Sequence, residues 1–211
     1  MTSRTAIERT LEGRRLLTHP FYRRWEAGEL ADGELAAYGA QYEHFERQLP
    51  PTLDAIVAAC PAGQVRDAIA ANLDDELHRP APHLELLASF LDAVGASPTA
   101  STPATAELVA LYEGAPSRST GFAVGVVAAY EVQAAAIARS KADGLRAHYG
   151  LGEDATTFWD VHAALEAEHA DWTLEAAAAL SGEAVLAGVT ASRDAWWSFL
   201  DERDAEVLAA P

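Results

Sequence analysis

The chain has 211 residues, half of them hydrophobic, enough for one domain with a real core over 1–211. Fifteen Lys and Arg stand against 32 Asp and Glu, a formal charge of −17 that repels phosphate backbones and anionic lipid; neither a nucleic-acid nor a membrane partner is expected. The single Cys60 excludes an internal disulfide and a Cys-rich metal site, which suits a reducing cytoplasm.

Met1 to Arg15 is charged and lacks an apolar segment, so no secretory leader is expected there. Alanine is abundant and apolar residues recur at three and four, which reads as all-α. Helices are expected near 3–17, 20–27, 32–48, 51–60, 63–78, 82–94, 104–113, 118–148, 154–180 and 183–207. Breaks are expected at Pro50-Pro51, Pro80-Ala-Pro82, Gly95 to Pro103, Gly114-Ala-Pro116 and Gly150-Leu-Gly152.

Three stretches carry chemistry. The first is Asn72-Leu-Asp-Asp-Glu76-Leu-His78, with His83 beyond two prolines; read blandly, it is an acidic helix end. In the second, the helix near 118–148, the first half is apolar on every face and Glu131 is its only charge. A buried carboxylate costs several kcal/mol, roughly, unless it is protonated, paired or bound to a metal. The third is the helix near 154–180. There Phe158, His162, Leu165, Glu166, His169 and Trp172 share one arc of about 120°, so two imidazoles and a carboxylate lie inside the apolar stripe.

Carboxylates and imidazoles without thiolates suit iron or manganese better than zinc. Two assignments compete. A ferritin-like one uses Glu43, Asp75-x-x-His78, Glu131 and Glu166-x-x-His169. The other uses Glu76, His83, Glu131, His162, Glu166 and His169. Its three carboxylates leave two divalent ions nearly neutral, and it employs both histidines of the last stripe.

The ordered segments His19-Pro-Phe-Tyr22, Tyr38…Tyr42, Asn72-Leu-x-x-Glu76 with His83, Tyr130-Glu131-x-Gln133, Ser140-Lys141-x-x-Gly144-Leu145 and His162-x3-Glu166-x2-His169 resemble the haem-oxygenase-like diiron oxidases. Within these the chain resembles the chlamydial protein associating with death domains and its bacterial relatives. The resemblance implies a seven- to eight-helix bundle of the TenA and PqqC type, two iron ions on the second set of six ligands, and a homodimer. It further implies dioxygen, an external reductant, and either a small-molecule substrate or one of the enzyme's own side chains. Relatives form p-aminobenzoate from a tyrosine of their own, with a lysine as amino donor; Tyr22 and Lys141 match these, and Tyr38 and Tyr130 match aromatics near that site. Other relatives oxygenate amines or cleave C–C bonds. A metal-free TenA-like protein and a non-enzymatic iron-binding protein are the alternatives of another class.

Two departures stand out. Glu166 replaces the family's usual Asp. Glu43 stands where relatives have tyrosine, as a seventh ligand or as the partner of Arg47 at i+4. Lys141 lies about 15 Å along a straight helix from Glu131 and about 80° round it, which reads equally as a surface lysine. Trp196 and Trp197 are placed at a dimer interface or in the core.

Overall fold

The computed structural model describes residues 3–31 and 33–208; Asp32, where the third expected helix was to begin, lies outside them. Among the described residues there is no strand. The helices are α1 (Ser3–Leu11), α2 (Pro20–Ala27), α3 (Glu34–Ala59), α4 (Gln64–His78), α5 (His83–Val94), α6 (Pro103–Arg118), α7 (Thr120–His148), α8 (Glu153–Ala178) and α9 (Gly182–Leu208), with a 3-10 turn at Leu16–Thr18 before α2.

α7 is the axis of the bundle. Its first half, from Gly121 to Glu131, is buried on every face, as an all-round apolar helix requires. It is long and apolar enough to cross a membrane, yet 83% of its most apolar window is enclosed by the rest of the protein. Its main neighbours are α8 and α9. A Cβ on Gly125 would sit 2.0 Å from the Val185 carbonyl oxygen, and one on Gly188 2.1 Å from that of Phe122. The α7 and α9 backbones therefore touch, and glycine at both positions makes the crossing possible. Trp196 is buried in the core; Trp197 lies half-buried against His19 and Arg14.

Three expected boundaries change. The first helix stops at Leu11, and Gly13 takes a left-handed φ of 84° that ends it. Pro50-Pro51 does not break α3, and Gly114-Ala-Pro116 lies inside α6. Each proline withholds an N–H from the carbonyl four residues back, a loss of about 3 kcal/mol in an isolated helix. Burial of Leu49, Leu53 and Ile56 on the same helix offsets this in α3, and Pro116 falls in the last turn of α6. The breaks at Pro80–Pro82, at Gly95 and at Gly150 occur as the sequence indicates, the two glycines with φ of 69° and 65°.

Candidate metal centre

α4 ends at His78 and α5 begins at His83, so the proline-rich turn between them lets Glu76 and His83 face each other from different helices. Their nearest atoms, Glu76 Oε2 and His83 Nδ1, are 2.8 Å apart. α8 adds His162 from the same side, its ring centroid 4.5 Å from that of His83. One turn further along α8, Glu166 and His169 meet Glu131 of α7. Two groups of buried donors result: Glu46, Glu76, His83 and His162, and beside them Glu131, Glu166 and His169. Within each group the donor atoms lie within 4.8 Å of one another. Glu166 spans both, with Oε1 3.9 Å from His162 Nε2 and Oε2 3.7 Å from His169 Nδ1. Its extra methylene over aspartate gives it that reach.

The hydrogen bonds around the imidazoles select the inward nitrogens. His83 Nε2–H donates to the Arg79 carbonyl (3.0 Å), His162 Nδ1–H to that of Phe158 (2.8 Å), and His169 Nε2–H to Asp75 Oδ2 (3.2 Å). That leaves His83 Nδ1, His162 Nε2 and His169 Nδ1 facing the carboxylates. Apart from the facing pair His83 Nδ1 and Glu76 Oε2, the buried atoms without a hydrogen-bond partner include His169 Nδ1, Glu76 Oε1, and one oxygen each of Glu46, Glu131 and Glu166. Buried polar atoms are ordinarily satisfied. So many orphans converging on one place fit a cation that would satisfy them together.

The electrostatics agree. Burial, then the neighbouring Glu131, holds the Glu166 carboxyl well above the usual range, and burial with Glu76 raises that of Glu46. Burial pulls the His83 imidazole down, but Glu76 outweighs it and raises the group to about 9. Burial, then His83, pushes His162 down. Without a metal the cluster keeps protons that a divalent ion would displace.

The structure brings together all six residues of the second assignment, whereas Glu43, Asp75 and His78 of the ferritin-like one lie outside the two clusters. His78 points outward, bonded to Asp74, and Asp75 bonds His169 from behind instead of entering the cluster. Glu43 likewise lies outside the two clusters and pairs with Arg47. Glu46 was missed. It stands in the stripe of Tyr38, Tyr42, Phe45 and Leu49, all buried, and a carboxylate in an apolar stripe is the signal that singled out Glu131.

A buried group of one lysine and four tyrosines lies beside the clusters. Lys141 is buried, not on the surface; its Nζ donates to Tyr38 Oη at 2.6 Å and lies 3.9 Å from the centre of the Trp159 ring. Tyr22 and Tyr38 hydroxyls are 3.0 Å apart, and those of Tyr42 and Tyr130 are 3.2 Å apart. Burial holds the Lys141 amine well below the ordinary lysine range, against the opposing pull of Glu46 and Glu166, which favours the free base. It raises all four phenols.

A helical bundle enclosing two adjoining carboxylate–imidazole clusters is the frame of a non-haem metalloprotein. The model of a family described as iron-containing redox enzymes matches residues 36–197, a span that includes every donor above. The chain belongs to that family and is an oxidoreductase of the haem-oxygenase-like kind. A 4-aminobenzoate synthase of Nitrosomonas europaea is 31% identical to it, over 95% of this chain and 90% of its own. One of Chlamydia pneumoniae is 28% identical, over 92% and 91%. A CADD-like protein of unknown function from Nostoc punctiforme superposes with a TM-score of 0.81 at 18% identity, over 98% of this chain and 97% of that one; this likeness is one of fold.

Proposed function

We propose that the clusters hold two iron ions, one on Glu76, His83 and His162 and one on Glu131, Glu166 and His169, and that the enzyme forms 4-aminobenzoate from its own Tyr22 and Lys141. Manganese would suit the same donors. When bound, the ions would supply the redox and Lewis-acid chemistry that turns dioxygen and external electrons into an oxidant.

The observation that carries this reading is the buried lysine–tyrosine network next to the clusters. Lys141 Nζ stands 5.3 Å from the centre of the Tyr22 ring, with Tyr38 holding both groups. Making 4-aminobenzoate from Tyr22 and Lys141 breaks the tyrosine Cα–Cβ bond, oxidises Cβ to a carboxyl at the expense of dioxygen, and exchanges the phenol oxygen for the lysine nitrogen, whose bond to Cε must break as well. A free-base amine is the form that can attack carbon. Tyr38 accepts its hydrogen bond and fixes its direction, while Trp159, Phe21 and Phe158, packed against the network, keep it from water. Relatives named for that product support the assignment.

The test is isotopic. Protein made with ring-13C tyrosine, loaded with iron and given dioxygen and reductant, is expected to yield labelled 4-aminobenzoate. Tyr22→Phe is expected to keep its iron and yield none. Product from Tyr22→Phe at the wild-type level refutes the proposal.

A further inference from the structure

We infer that Glu46 is a protein ligand of the metal centre, the fourth at the position of Glu76, His83 and His162. This rests on the reading of the clusters as a dinuclear site and adds a residue from α3, a helix that otherwise gives none. Four observations converge on it.

The first is geometry. Glu46 has a carboxylate oxygen that lies within 4.8 Å of donor atoms of Glu76, His83 and His162, as they do of one another, and its Oε1 is 3.9 Å from His162 Nε2. The second is an unanswered need. Glu46 is 1% exposed, and its Oε1 has no hydrogen-bond partner. A buried oxygen left so costs several kcal/mol, roughly, and Glu76, one of the residues that face it, likewise has an oxygen, Oε1, without a partner.

The third is charge. Six ligands supply three carboxylates, which leave two divalent ions with one uncompensated positive charge in a buried site. Glu46 supplies the fourth, and the assembly becomes neutral. The fourth is the backbone. Pro50 and Pro51 have no N–H to offer the carbonyls of Glu46 and Arg47, so α3 lacks two of its own bonds in the turn that carries this side chain. Glu43, one turn earlier, keeps a surface ion pair. The two positions of the centre then differ: one has two carboxylates and two imidazoles, the other two carboxylates and one imidazole.

Anaerobic titration of the metal-free chain with Co2+ tests this, because the visible bands of Co2+ report ligand number directly. The wild type is expected to take two ions per chain. Glu46→Gln, which keeps the shape and removes the charge, is expected to bind one of them at least about tenfold more weakly and to change the spectrum of that ion alone. Both binding constants and both spectra matching the wild type would overturn the inference. Glu46→Asp, shorter by one methylene, gives the same two readouts if the glutamine variant does not fold. A wild type that binds no Co2+ sinks the dinuclear reading itself, whereas two wild-type ions with an indifferent Glu46→Gln sink only the role of Glu46.

Discussion

Asp75 lies behind His169, and its removal should be felt in only one half of the centre. The carboxylate is nearly buried; Oδ2 accepts from His169 Nε2–H at 3.2 Å, and Oδ1 faces Arg79 Nε at 2.6 Å. Partners of this kind orient a ligating imidazole and raise its basicity, and losing them typically costs about 10–100-fold in metal affinity. Asp75→Asn keeps one oxygen. Turned toward His169 it preserves a neutral hydrogen bond, roughly half as strong as the charge-assisted one. The amide NH2 then faces Arg79, which is 62% exposed and free to swing away. The expected loss is therefore about tenfold, near 1.4 kcal/mol. Asp75→Ala leaves no acceptor, and about 100-fold, near 2.7 kcal/mol, is expected. Competition against a chromogenic chelator under anaerobic conditions measures both ions in turn. Only the ion on Glu131, Glu166 and His169 should weaken. Equal weakening of both positions, or of neither, refutes the argument.

His83→Ala should lose the ion at its own position by elemental analysis, while His78→Ala, whose side chain is exposed, should retain both. Gly188→Ala sets a Cβ 2.1 Å from the Phe122 carbonyl oxygen, an overpacking cost of about 3 kcal/mol less about 1 kcal/mol of helix propensity. A fall in Tm of about 4–8 °C should follow by calorimetry. Gly114→Ala, with open space around it, should match or exceed the wild type. In the folded chain the Lys141 amine sits well below its unfolded value near 10.4, so between the two the unfolded chain holds a proton that the folded chain lacks. Stability then rises with pH across that window and is lost as pH falls through the folded value. Metal-free Lys141→Met should exceed the wild type most at the acid end of the window, and its advantage should vanish as pH approaches 10.4; a constant difference in denaturant melts counts against a free-base lysine.

Much of this was legible in the sequence. The period of the apolar residues gave the helices, and three polar residues inside the apolar stripe of α8 gave three of the seven clustered donors. Two things escaped. Pro50-Pro51 reads locally as a stop, yet burial on both sides carries α3 through it. Glu46 lay inside the expected helix 32–48, in the stripe of Tyr38, Tyr42 and Phe45, but the neighbouring charges Glu43 and Arg47 let it read as one more solvated residue. Lys141 escaped for another reason. Distance along a helix axis ignores the reach of a four-carbon side chain, and the rings of Trp159 and Tyr42 draw the amine inward.

The donors come from α3, α4, α5, α7 and α8, so no single helix or hairpin possesses a binding site of its own. Metal affinity is thus a property of the assembled bundle, and the unfolded chain competes poorly for the same ions. Each ion supplied at a hundred times its dissociation constant should deepen the native well by about 2.7 kcal/mol. Iron supply during growth would thereby set how much of this protein survives proteolysis, before any turnover is counted.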